Sequence, residues 1–276
     1  MAVPYVPTRR WLFLVAATVA VVGLLPTTSA GATSSLPHVI ASTGDSITRA
    51  FDVGWCCILR DAPEYSWSTG TSVDSHYVRL TRFDPKIVGN AYNDARSGAK
   101  MSELATQLSQ AAGQRADYVT VLMGANDVCT STVSTMTATA TFEAQFRAAL
   151  SQFTQARPRA RIFVSSIPNV YRLWEVLHTN FAATLAWSTF GICQSMLSSS
   201  NTDTERAQVL AQEGADNDTL ARICAQFTQC RWDGYATYNT TFYASDISPV
   251  DYFHPSSQGQ NKLASVTWAA SYWPTS

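Results

Sequence analysis

Charge is scarce in this chain. Only 14% of its 276 residues are Asp, Glu, Lys or Arg, the formal net charge is −1, and lysine occurs at Lys86, Lys100 and Lys262 alone. No basic face is left for a phosphate backbone, which points away from nucleic acid as a partner. Histidine is also sparse. None of His38, His76, His178 and His254 falls at ligand spacing from a cysteine pair, so no metal site is expected and no cofactor is implied. Internal repeats, heptad runs and long low-complexity linkers are missing too, which removes solenoids, coiled coils and loosely strung domains from consideration.

The one long apolar run lies at residues 11–25, somewhat short of the ~20 residues a membrane span requires. Arg9 and Arg10 precede it, and a small-residue stretch ending Ala30-Gly31-Ala32 follows. This is the pattern of a secretory signal over residues 1–32, the competing reading being an uncleaved anchor. The Arg pair also partly matches a twin-arginine signal. Removal leaves residues 33–276, a length suited to one large α/β domain. An exported chain with six cysteines is expected to oxidise them. Spacing favours Cys224 with Cys230 as a local clip, which leaves Cys129 and Cys193 for a long-loop bridge worth about 4 kcal/mol in the chain-entropy model. Cys56 and Cys57 are adjacent, and they bridge each other, pair elsewhere or stay free.

Runs rich in β-branched residues at 38–43, 86–91, 117–123 and 160–167 are each followed closely by Gly, Ser, Asn or Pro. Helical patterns occupy 101–114, 137–156, 203–227 and 256–273. Strands alternating with helices of this length predict a doubly wound α/β fold: three layers around a parallel sheet, with the ligand crevice at the carboxyl ends of the strands. Ser46, Gly98 and the segment Gly124–Asp127 follow the first three strands, so all three converge on one rim.

The segment Val39-Ile40-Ala41-Ser42-Thr43-Gly44-Asp45-Ser46 runs an apolar strand into a small-residue turn. Ser46 there is a candidate nucleophile at the start of a helix, although alone it would read as an N-cap. A hydroxyl needs a base, and Asp251-Tyr252-Phe253-His254 supplies an imidazole suited to proton transfer near pH 6.5, with Asp251 three residues earlier to hold its tautomer. Alone, that pair would read as a capped turn. Asp45 and Asp127 are read as carboxylates that fix their loops, and His38, His76 and His178 as structural or surface residues.

Four blocks in order, Gly44-Asp45-Ser46, Gly98 within Ala95-Arg96-Ser97-Gly98-Ala99, Gly124-Ala125-Asn126-Asp127 and Asp251-x-x-His254, resemble those of the SGNH/GDSL hydrolases. No further block is matched between Asn126 and Asp251. The resemblance implies a flavodoxin-like SGNH hydrolase fold. It also implies an oxyanion hole formed by the backbone N–H groups of Ser46 and Gly98 and the side-chain amide of Asn126. Gly98 would let the backbone approach the substrate oxygen closely.

Tyr171, Trp174, Leu177 or His178, Phe181 and Leu185 fall near helical spacing, giving a stripe that lines an acyl pocket, covers it as a lid, or packs a helix on the sheet. The expected activity is a secreted serine hydrolase of carboxylic esters, lipid or phospholipid acyl esters first. Deacetylation of a polysaccharide and non-catalytic binding on the same scaffold are the alternatives. The expected state is a monomer with transient contact to lipid surfaces.

Overall fold

The computed structural model describes residues 1–7 and 35–273. Most of the expected signal segment lies outside the described residues. The unit formed by residues 1–33 shows only exposed chain without secondary structure at 1–7.

In the unit that begins at Ser34, five strands form one parallel sheet in the order β2-β1-β3-β4-β5. They are β1 (Ile40–Gly44), β2 (Ala91–Asn93), β3 (Tyr118–Leu122), β4 (Arg161–Val164) and β5 (Cys230–Trp232). Strands β1 and β3 are buried along their whole length, as expected of central strands covered on both faces. Their register runs from Ile40 opposite Tyr118 to Gly44 opposite Leu122, so both end at the same level. Strand order reverses between these two, and the crevice of a doubly wound sheet opens at such a reversal.

The helices are α1 (His76–Thr81), α2 (Leu104–Gly113), α3 (Ala125–Val128), α4 (Thr139–Ala156), α5 (Val170–Leu177), α6 (Phe181–Thr189), α7 (Gln194–Leu197), α8 (Asp203–Cys224) and α9 (Ser257–Ala270). Side-chain caps start five of them: Ser75 for α1, Asn169 for α5, Asn180 for α6, Thr202 for α8 and Ser256 for α9. Helices α2, α4 and α8 pack as neighbours. Helices α1 and α9 are joined by the buried His76, whose Nδ1 bonds Tyr118 Oη and Nε2 bonds Thr267 Oγ1, each at 2.9 Å. Burial drives this imidazole down to about 3, so His76 stays neutral and ties layers together.

Two expectations shift. The strand placed at 86–91 begins only at Ala91, because Asp84 caps Lys86 N and Pro85 opens a 3-10 turn through Ile87. The single stripe from Tyr171 to Leu185 is two helices, broken where Asn180 turns its side chain back to cap Ala183 N.

Helix α8 buries polar groups where an apolar face would be usual. Asn217 Oδ1 accepts from Ile167 N at 2.8 Å, and Glu213 accepts from Val170 N at 3.2 Å, fixing the loop after β4. Burial, with the neighbouring Asp216 charge adding to it, pushes the Glu213 carboxyl well up, and burial carries Asp216 to about 7. A carboxyl raised in the folded state costs nothing below its unfolded value, and stability is then lost as pH rises through the folded value. Glu213→Gln keeps the acceptor for Val170 N and removes the charge. It should therefore melt above the wild type at pH 8, the gap closing at pH 4.5. Circular-dichroism melts check this, and a lower midpoint for the variant at pH 8 would contradict it.

Candidate active site

Strand β1 ends at Gly44, where φ is +148° and an added Cβ would meet Leu122 O at 2.2 Å. Only glycine closes this strand end. Gln107, buried on α2, clamps it from below, its Oε1 accepting from Gly44 N at 2.7 Å and its Nε2 donating to Gly44 O at 2.9 Å. Beyond it, Asp45 Oδ1 accepts from Ile47 N at 2.9 Å, and burial raises this carboxyl to about 7. Ser46 follows at 8% exposure. Contrary to the sequence reading, no helix begins here. The chain makes turns through residues 46–52, because Ala50 and Asp52 both take left-handed φ values near 50°. The Ser46 N–H thus stands in a tight turn and not in the first turn of a helix.

The far end of the chain meets this turn. His254 Nε2 lies 2.8 Å from Ser46 Oγ, and its Nδ1 lies 2.5 Å from Asp251 Oδ2. Asp251 Oδ1 accepts from the Phe253 and His254 amides at 2.9 and 3.0 Å. Burial acts most strongly on Asp251 and acts upward, yet the His254 hydrogen bond, its opposing charge and the two amides together hold the carboxyl below its ordinary range. Tyr252 takes φ 56°, which curls the loop tightly enough for both contacts. Phe51 lies over the imidazole with ring centroids 5.0 Å apart. The Ser46 turn is held by Gln260 on α9, which donates to Ile47 O at 2.7 Å and accepts from Trp67 N at 3.0 Å.

Gly98 sits on a turn after β2 and Asn126 on the short helix α3 after β3, the two strands that flank β1. Gly98 has φ +80°, and no protein atom lies within 4 Å of where its Cβ would be. Its glycine is therefore demanded by the left-handed turn, and not by crowding from the protein. Among the described residues, neither the Ser46 nor the Gly98 amide donates to a protein acceptor. Asn126 Nδ2 donates one hydrogen to Ala99 O at 3.0 Å, keeping the second. Asp127 Oδ2 accepts from Met101 N at 2.9 Å and so ties the Asn126 turn to the Gly98 loop.

Outside this cluster, His38 faces Asp84 and the exposed His178 stacks on Trp174. The sulfurs join Cys129 to Cys193, Cys224 to Cys230, and Cys56 to Cys57. Among the described residues no group of three or more His, Cys, Asp or Glu side chains is placed to hold a metal ion.

An apolar cleft opens beside the cluster. Its wall includes the chain neighbours of three of the residues above: Ile47 beside Ser46, Ala125 beside Asn126, and Phe253 and Pro255 flanking His254. Helix α5 contributes Leu173 and Val176. The expected stripe does not form this wall. Leu177 is buried against Val128 and Trp187 and is not among the cleft-lining residues, Trp174 lies under the Arg206 guanidinium at 4.5 Å, and Phe181 and Leu185 are exposed.

A model of the GDSL-like lipase/acylhydrolase family matches residues 40–266. No curated protein matches the sequence. Among solved structures, a protein of Parabacteroides merdae ATCC 43184 assigned as a GDSL-like lipase is 16% identical, with a TM-score of 0.52, over 84% of this chain and 94% of that one. An extracellular lipase from Streptomyces rimosus is 20% identical with a TM-score of 0.46, over 84% of this chain and 99% of that one. A family 3 carbohydrate esterase of Clostridium thermocellum is 14% identical, also at 0.46, over 83% of this chain and 92% of that one. The first of these likenesses is one of fold.

Proposed function

The chain belongs to the GDSL-like lipase/acylhydrolase family, and from that premise we propose that it is an exported serine hydrolase of carboxylic esters with apolar acyl groups. The observation that carries this reading is the hydrogen-bonded series Ser46–His254–Asp251 at the mouth of an apolar cleft. His254 Nε2 accepts the Ser46 proton as Oγ attacks the ester carbonyl, and Asp251 steadies the imidazolium that results. The Ser46 and Gly98 amides and the remaining Asn126 hydrogen hold the oxyanion. His254 then protonates the departing alcohol, and water repeats the sequence to release the acid.

Export is supported by the basic pair and apolar run before residue 33 and by three cysteine pairs, which persist in oxidising compartments. Phe181, Leu185 and Phe190, all more than half exposed, are the side chains this reading brings to a lipid surface. A polysaccharide deacetylase is the second reading. It is favoured by the polar hollow between Asn93, Arg96, Gln110 and Gln114 on the strand β2 side.

Para-nitrophenyl esters of graded length decide between them. With a buried methylene worth roughly 0.8 kcal/mol, kcat/KM should rise about tenfold from acetate to butyrate in the first reading. Leu173→Trp, which fills the cleft, should erase that rise and spare acetate. Activity confined to acetate in the unaltered enzyme supports the sugar esterase, and none at all supports binding alone.

A further inference from the structure

One buried acid beside the site has no part in the chemistry so far. Asp52 is fully buried, and its backbone is held at φ 51° with its N–H donating to Arg60 O at 3.0 Å. Its Oδ1 accepts from Leu59 N at 2.9 Å. Its Oδ2 is buried, and no N–H or hydroxyl among the described residues reaches it. The Asp251 carboxyl acts on it both as a charge and as a hydrogen-bonding side chain. Two ionised carboxylates cannot bond, so Oδ2 is an orphan only while both are charged. A single proton between them satisfies it.

The segment carrying Asp52 is clasped to the site on both sides, with the Phe51 ring on His254 and Ser257 N donating to Val53 O at 3.2 Å. The charged groups acting on Asp52 are Asp251 and His254. Of the nearby arginines, Arg60 turns its guanidinium to Cys56 O and Cys57 Sγ, and Arg49 pairs with Asp61. Among the described residues, His254 is thus the cation offered to a charged Asp52, and the buried Asp45 carboxyl also acts on that imidazole.

We propose that Asp52 is a positioning residue that shares one proton with Asp251, orienting that carboxylate and setting the negative charge that faces His254. The proton rests on Asp52, because Asp251 already takes three hydrogen bonds as an acceptor while Asp52 takes one. Burial, with the Asp251 charge behind it, pushes Asp52 up to about 6. The second carboxylate charge thus builds over the range in which imidazoles commonly titrate. This inference rests on the catalytic reading of Ser46, His254 and Asp251.

Asp52→Asn and Asp52→Ala in the full chain test it. Asparagine tolerates the left-handed backbone, still accepts from Leu59 N, and donates permanently to Asp251. In Asp52→Asn the NMR midpoint of His254, a readout that needs no substrate, should fall by about half a pH unit or more, because a neighbouring anion is gone. The acid limb of kcat/KM should move with it. At pH 6, Asp52→Asn should keep or exceed wild-type kcat, whereas Asp52→Ala should lose roughly tenfold or more with KM unchanged, the cost of a lost bond to a charged group. An unmoved His254 midpoint in Asp52→Asn overturns the proposal. So does equal loss in both variants without a pH shift, which is the mark of packing alone. Should the wild type turn over no ester, the ester reading falls and the His254 midpoints still decide Asp52.

Discussion

Ser46→Ala should abolish ester turnover, with kcat falling by about 10⁶ while the protein folds as before. The size follows from the division of labour at the site. On the proposed reading, removing Oγ takes away the group that forms the acyl bond, and what persists is the weak rate given by a bound substrate, an oxyanion hole and water. The preserved fold follows from the contacts. Among the described residues, the Ser46 hydroxyl has one hydrogen-bond partner, His254 Nε2, and the imidazole side chain is itself 12% exposed at the cleft. No buried donor is stranded by its loss, so the melting temperature should move by no more than a few degrees. A fluorophosphonate label should enter the Ser46 peptide of the wild type stoichiometrically and leave the variant unmarked. A folded variant that still hydrolyses esters would remove Ser46 from the chemistry.

What could be read from residues alone divides along a physical line. The central strands β1 and β3 were legible because burial on both faces forces continuous apolar or small residues, a pattern that needs no partner to be recognised. Strand β5 was not legible. It has three residues on the sheet edge, Arg231 faces outward, and only pairing with β4 makes it a strand. Helix α5 misled for another reason. Its aromatic spacing is real, but Trp174 is claimed by Arg206 and His178, leaving Leu173 and Val176 for the cleft. At the site, Ser46, Asp251 and His254 carry reactive groups at short spacing from recognisable turns. Gln107 and Gln260 carry none, since a glutamine in a helix gives no sign that it clamps a distant loop. Asp52 gave no sign either, for an aspartate in a turn acquires meaning only when a remote carboxyl is folded against it.

Asp251→Asn should lower kcat by about 10⁴, and the local hydrogen bonds say why so small a change would cost so much. In the wild type, Oδ1 is occupied by the Phe253 and His254 amides, and Oδ2 receives His254 Nδ1. An asparagine has a single oxygen. The two backbone N–H groups are fixed in the loop and can be met only by an acceptor, so they claim that oxygen and turn the NH₂ group toward His254. Donor would then face donor, unless the imidazole carries its proton on Nε2 and presents a bare Nδ1. That tautomer satisfies the new contact and ruins the reaction, because Nε2–H now points at Ser46 Oγ, 2.8 Å away, and has no lone pair to receive the hydroxyl proton. The fold should be spared, since the replacement is isosteric at a buried position and every backbone donor keeps its acceptor. Single-turnover kinetics with a para-nitrophenyl ester measure the acylation step directly, and NMR of the ring nitrogens reads the tautomer. A variant within tenfold of the wild type, or one that keeps the proton on Nδ1, would show that Asp251 does not govern the base.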